Sequence, residues 1–84
     1  MIFVFGSNLE GRHGAGAALH AAQYYDAQYG VGRGLTGRAY ALPTKRTPYE
    51  TLSEREVRDN IVEFLDFARN NSDKMFVLTP IGLG

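Results

Sequence analysis

The sequence predicts a small three-layer α/β domain, in which helices cover a sheet of three strands. Apolar, β-rich runs alternate with two helical patterns in the order β-α-β-α-β. The 84 residues suit a single domain over 1–84. Hydrophobic residues make up 44% and charged residues 21%, as in ordinary globular proteins. Right-handed crossovers are expected wherever consecutive strands are parallel.

The first strand and first helix are predicted from apolar spacing. Ile2-Phe3-Val4-Phe5 is a continuous apolar run, typical of a buried strand in a parallel sheet. A glycine-rich loop separates it from a helix predicted over 15–27. The segment from Gly30 to Gly37 holds too many glycines for a regular element and predicts a long flexible loop. The apolar stripe of the helix is Ala15, Ala18, Leu19, Ala22 and Tyr25.

The second half repeats the alternation. A short strand is predicted over 39–42, where Pro43 ends it, and a third strand over 75–78. The helix between them has a clear beginning, because Ser53 is a good N-cap and Glu56 completes a capping box. Its predicted buried stripe is Val57, Ile61, Phe64, Leu65 and Ala68.

A sheet of three strands keeps two open edges. A chain of this size buries only about 60–65% of the surface that its unfolded form exposes. We therefore expect either a partner chain, such as a homo-oligomer, or a natural protein that continues past Gly84, so that the present fold is minimal or truncated at its C-terminus.

Composition excludes several classes of function. Nine basic residues balance nine acidic ones, so overall charge favours neither nucleic acid nor a membrane as partner. The chain has no cysteine and only two histidines, which leaves no disulfide, zinc pattern or implied cofactor. The first apolar run is too short for a signal peptide or a membrane span. A cytoplasmic location is the default expectation.

Glycine and charge are unevenly distributed. Eight of the ten glycines lie between Gly6 and Gly37, and the other two lie at the C-terminus. Glycine gathers where a backbone turns with positive φ or approaches a ligand closely. Residues 1–48 carry a net charge of +3 and residues 49–84 one of −3. This asymmetry has two explanations. Either it arises by chance together with a solvated acidic helix, or the cations lie in glycine-rich loops around an anion.

The carboxyl ends of parallel strands meet at one edge of a sheet, where ligands bind. Three segments follow strands there: 6–16, 43–46 and 80–84. In the first, Gly14-Ala15-Gly16 opens a helix, and free amides at a helix N-terminus attract anions. The spacing matches neither a Walker A loop nor a dinucleotide fingerprint, so phosphate binding and plain close packing both stay open.

Five side chains in these loops are candidates for chemistry, each with a structural alternative. Ser7 and Asn8 either cap a turn or bond a ribose hydroxyl. His13 is solvated, contacts phosphate, or acts as an acid or base near neutral pH. Lys45 is a surface lysine, a phosphate partner or an amine nucleophile at a sugar C1. Tyr49 either covers a core edge or stacks on a base.

Three segments together resemble macrodomains, the ADP-ribose-binding α/β modules, and most of all the branch that contains terminal ADP-ribose protein glycohydrolase. Gly14-Ala15-Gly16-Ala17-Ala18 resembles that branch's glycine-rich helix opening. Residues 42–46 and 48–52 resemble its strand-end lysine motif and the Pro-x-Tyr-x-x-Leu that follows. Residues 78–84 are similar to its Ile-Gly-x-Gly phosphate loop. The opening Phe-Val-Phe-Gly-Ser-Asn-Leu also resembles small uncharacterised bacterial and phage proteins.

The resemblance implies that both glycine loops hold a diphosphate, with the distal ribose near Asn8 and Lys45. Lys45 matches the nucleophilic lysine of the branch, and would be the catalytic residue. The hydrolases carry an acidic residue after Ile-Gly-x-Gly, whereas this sequence stops at Gly84, so binding is favoured over catalysis. The first strand also lacks the acidic residue that commonly recognises adenine in macrodomains.

Four functions are therefore weighed. The first is binding of ADP-ribose or a related nucleotide-derived small molecule. The second is an ADP-ribosyl glycohydrolase that uses Lys45, and the third is an oligomeric interaction protein without a ligand. The least favoured is nucleic-acid binding through Arg12, Arg33, Arg38 and Arg46. The predicted ligand-binding residues are Gly6, Ser7, Asn8, Leu9, His13, Gly14, Ala15, Gly16, Thr44, Ile81, Gly82, Leu83 and Gly84.

Overall fold

The computed structural model describes residues 1–81, and within them the chain forms one mixed five-stranded sheet and two helices. The predicted α/β class is confirmed, but the prediction of three strands is wrong, because two short antiparallel strands join the sheet. In chain order the elements are β1 (Ile2–Asn8), α1 (Gly16–Tyr24), β2 (Gly34–Thr36), β3 (Ala39–Thr47), β4 (Glu50–Thr51), α2 (Glu54–Asn70) and β5 (Phe76–Leu78).

The sheet places three parallel strands side by side. Its order is β2-β3-β1-β5, and β4 pairs with the far end of β3. β1 is parallel to both β3 and β5, which confirms the parallel character predicted for the first strand. β2 and β4 run antiparallel to β3. The carboxyl ends of β1, β3 and β5 therefore meet at one edge.

Side chains of β1 alternate between two cores, as the two-residue period of a strand requires. Phe3 and Phe5 lie in the core beneath α1. Ile2 and Val4 lie in the core beneath α2, which also contains Phe64. One helix thus covers each face of the sheet, as predicted.

Helix α1 is shorter than the predicted 15–27. It ends at Tyr24, and Asp26 has φ 63°, a left-handed conformation that turns the chain away. The Tyr25 ring stacks on Phe3 with centroids 4.6 Å apart. The alanines at 17, 18 and 21 pack on the sheet beside it, so their small side chains set how closely α1 approaches.

The prediction of a flexible loop over 30–37 is wrong. Gly34–Thr36 forms β2, which pairs with the first part of β3. Thr36 is buried, and its hydroxyl accepts a hydrogen bond from the Gln28 backbone amide. The sequence does not reveal this strand, because a three-residue antiparallel strand can form among glycines without an apolar run of its own.

The prediction that Pro43 ends the second strand is also wrong, because β3 continues to Thr47. On the edge opposite β1, β2 pairs with residues 39–41 of β3 and β4 with residues 45 and 47. Pro43 lies in the gap between them, where its missing N–H deprives neither short strand of a ladder bond. Its carbonyl accepts a hydrogen bond from the buried Asn60 side chain at 3.0 Å.

Helix α2 begins where predicted but buries a different stripe. The capping box of Ser53 and Glu56 is present. The residues that pack on the sheet are Phe64, Phe67 and Ala68, and Asn60 is buried with them. Two members of the predicted stripe are exposed instead, Ile61 at 39% and Leu65 at 52%.

Several apolar side chains on α2 and the edge strand β5 are uncovered; Leu78, for example, is 64% exposed. The homo-oligomer and the longer natural chain expected from the sequence both stay predictions. Neither described helix is long and apolar enough to cross a membrane.

The start of α2 yields a pH-dependent prediction. The pKa of Glu56 lies below its ordinary value of 4.5, first because its carboxylate accepts the Ser53 backbone N–H and then because Arg46 lies beside it. Its contribution to stability is therefore complete above pH 4.5 and is lost as the pH falls through the lowered pKa. Glu56→Gln should lower the melting temperature by a few degrees at most near neutral pH, and by less near pH 3. An equal or larger deficit in acid would contradict this assignment.

Candidate functional site

A cleft of about 610 Å³ lies at the edge where the parallel strands end. Its floor is formed by the last residues of β1 and by β3 beyond Pro43, and Pro80 contributes from the segment after β5. The loops after all three parallel strands therefore reach one cavity, as the topology of the sheet predicts. The floor residues are Gly6, Ser7, Asn8, Thr44 and Lys45.

The beginning of α1 forms one wall of the cleft. Gly14, Ala15, Ala17 and Ala18 line it. Ala15 is the N-cap in an extended conformation, and no side chain caps the helix. The first-turn amides, which lack partners within the helix, can therefore donate to a ligand.

Gly14 lies in this wall and Gly16 lies outside it, and the two glycines have different roles. Gly16 has φ +58°, a left-handed conformation that favours glycine. The backbone of Gly14 is not left-handed, and a Cβ built there would meet nothing within 4 Å. Gly14 therefore lines the cleft without any backbone need for glycine, and a side chain there would project into open space.

Asn8 shapes the loop after β1. Its side-chain Nδ2 donates to the Arg12 carbonyl at 2.8 Å, and its Oδ1 accepts the Arg12 backbone N–H at 3.0 Å. Asn8 is buried, so both halves of its amide serve the turn. This is the turn-capping alternative for Asn8, and a contact with ribose stays a prediction.

The glycine-rich segment 30–37 supports the first loop from behind. The Gly30 amide donates to the Gly11 carbonyl at 2.9 Å, and a Cβ on Gly11 would lie 2.3 Å from the Gly30 carbonyl carbon. A Cβ on Gly32 would lie 2.1 Å from the Asn8 carbonyl oxygen. The Ser7 hydroxyl also donates to the Gly32 carbonyl. These glycines permit close contact between backbones and do not line the cleft.

His13 is fully buried, which corrects the expectation of a solvated histidine. Its Nε2 lies 2.9 Å from the Gln28 carbonyl, which can only accept, so Nε2 carries the proton. The ring packs edge-on against Phe5, and the Tyr29 hydroxyl donates to the His13 carbonyl. Among the residues described, none bonds to its Nδ1. His13 anchors the loop and does not line the cleft.

Two cationic side chains contribute to the cleft. Arg12 and Lys45 line it, and no carboxylate appears among the lining residues within 1–81. Arg12 Nε lies 3.2 Å from Oε1 of Glu10, and Glu10 does not line the cleft. Lys45 is exposed, and over the described part of the chain no carboxylate lies within ion-pair distance of its amine. Tyr49 stands at the rim and is 96% exposed.

The structure brings together seven of the predicted residues: Gly6, Ser7, Asn8, Gly14, Ala15, Thr44 and Lys45. Four others do not line the cleft: Leu9, His13, Gly16 and Ile81. Gly82, Leu83 and Gly84 lie outside the described residues. Tyr49, a candidate for base stacking, also lines the cleft. The lining residues that were not predicted are Arg12, Ala17, Ala18, Pro48 and Pro80. Arg12 had a usable signal, since it lies two residues before Gly14 in the loop after a parallel strand.

The four arginines considered for nucleic-acid binding do not form a free basic patch. Arg12 pairs with Glu10, and the other three pairs are Arg33 with Glu63, Arg38 with Asp26, and Arg46 with Glu50 and Glu56. Within residues 1–81, no cluster of three potential metal ligands occurs.

Comparison with protein-family models, curated proteins and solved structures found no match to this chain.

Proposed function

We propose that this chain binds ADP-ribose or a related nucleotide-derived small molecule, with its diphosphate in the cleft at the carboxyl edge of the sheet. The observation that carries the proposal is the convergence of an uncapped helix N-terminus and two cations on one cavity. The macrodomain resemblance supports the choice of ligand.

The size of the cavity suits such a ligand. Small-molecule sites commonly enclose about 300–1,000 Å³, and the cleft of about 610 Å³ falls inside that range. The helix wall carries only small side chains, those of Ala15, Ala17 and Ala18, so a ligand can reach its backbone. The exposed ring of Tyr49 at the rim offers a surface on which a base can stack.

The charge of the cavity favours a diphosphate over a neutral nucleoside. Backbone amides at a helix N-terminus and basic side chains both stabilise phosphate oxygens. The described lining includes Arg12 and Lys45 and no carboxylate, and the nearest acidic partner, Glu10, is ion-paired with Arg12 outside the lining.

We propose binding rather than hydrolysis. Lys45 lies in the cleft, so the alternative of an ADP-ribosyl glycohydrolase keeps its nucleophile. A glycosidic reaction also needs an acid to protonate the leaving group. No aspartate or glutamate lines the cleft among residues 1–81, and His13 is buried away from it.

Calorimetric titration tests this proposal. Heat of binding is expected with ADP-ribose and with ADP, and a much weaker signal with adenosine, which lacks phosphate. Incubation with an ADP-ribosylated protein is expected to release no ADP-ribose. If adenosine bound as tightly as ADP-ribose, the phosphates would not contribute to binding, and the proposed diphosphate site would be wrong. Release of ADP-ribose that Lys45→Ala abolishes would establish the hydrolase instead.

A further inference from the structure

Glu10, which does not line the cleft, forms an ion pair with Arg12, which does. Arg12 Nε lies 3.2 Å from Glu10 Oε1, and the two side chains are 71% and 45% exposed. The backbone of Arg12 is held on both sides by the Asn8 side chain. The backbone of Arg12 is therefore fixed, while its exposed guanidinium can exchange one ion-pair partner for another.

We propose that Glu10 is a selectivity residue, a built-in competitor that occupies Arg12 until a phosphate displaces it. This proposal rests on the proposed function of the cleft. It adds a residue that determines how much negative charge an anion needs in order to bind.

The weakness of the pair makes displacement easy. Exposed ion pairs stabilise a fold only weakly, because water and salt screen them. A phosphate in the cleft would meet Arg12 together with Lys45 and the α1 amides. A ligand with a single weak negative charge gains less from the same exchange. Glu10 thus lowers the affinity for all anions, and a diphosphate overcomes it most readily.

Glu10→Gln tests the proposal because it removes the charge and keeps the shape of the side chain. We expect this variant to bind ADP-ribose and inorganic pyrophosphate about threefold more tightly at low salt. The gain should disappear near 1 M salt, where the screening length is about 3 Å. Affinity for adenosine should not change.

Two controls separate local exchange from general charge. Glu54→Gln removes a carboxylate that pairs with Arg58 on α2, outside the cleft lining, and should leave affinity unchanged. In an Arg12→Gln background, Glu10→Gln should lose most of its effect, because its partner is absent.

The outcomes are distinguishable. If the wild-type chain binds ADP-ribose but Glu10→Gln binds it equally or more weakly, Glu10 does not compete, and only this inference falls. The same conclusion follows if the gain persists in full without Arg12. If neither the wild type nor Glu10→Gln binds ADP-ribose or pyrophosphate, the inference and the proposed function both fall.

Discussion

Replacing Gly14 with valine is expected to weaken ADP-ribose binding about tenfold or more, which corresponds to about 1.4 kcal/mol. Gly14 lines the cleft where α1 begins, and a Cβ there would meet no protein atom within 4 Å. Because Gly14 lines the cleft, we expect a branched side chain there to compete with the proposed phosphate for space beside the α1 amides. Because the backbone of Gly14 is not left-handed, the variant should fold.

Calorimetry with ADP-ribose and a thermal melt of the same sample check both parts of this prediction. Gly14→Ala is the matched control, since its single methyl group should weaken binding less than valine does. Undiminished affinity in the valine variant would show that the ligand does not approach α1 through this opening. A collapse of the melting temperature would show instead that Gly14 is needed for folding.

Replacing Gly32 with alanine is expected to destabilise the fold by about 3 kcal/mol. Its Cβ would lie 2.1 Å from the carbonyl oxygen of Asn8, and Asn8 ends a strand held by β3. Neither backbone can move away without breaking other contacts, among them the hydrogen bond from the Ser7 hydroxyl to the Gly32 carbonyl. Urea unfolding measures the loss as a lower midpoint.

Gly14→Ala again provides the comparison, because it makes the same chemical change in open space. It should alter the free energy of unfolding by no more than about 0.5 kcal/mol. If Gly32→Ala proved as stable as the wild type, the close contact between residue 32 and β1 would not exist in solution.

The features that the sequence predicts well depend on neighbouring residues. The capping box fixes the start of α2 because both of its hydrogen bonds lie within four residues. The apolar run at the start of the chain identifies a buried parallel strand. Once the parallel strands are placed, the edge where the cleft forms follows from topology.

The features that it predicts poorly depend on distant contacts. The glycines between 30 and 37 locally predict a flexible loop. This segment is ordered by distant contacts, because the loop after β1 packs against it and β3 pairs with β2. Pro43 ends a strand by local rules, yet the gap between two short neighbours accommodates it. Arg12 enters the site because Asn8 folds the loop back, a hydrogen-bond arrangement that spacing alone does not indicate.

Backbone amides at the start of α1 are proposed to bind an anion in the cleft. Titration of isotopically labelled protein with inorganic pyrophosphate, followed by amide NMR, tests this proposal most directly. The largest saturable shifts are expected at the amides of residues 14–18, with smaller shifts in the loop after β1 and none along the exposed side of α2. Saturable shifts confined to other parts of the chain, or none at residues 14–18, would contradict it.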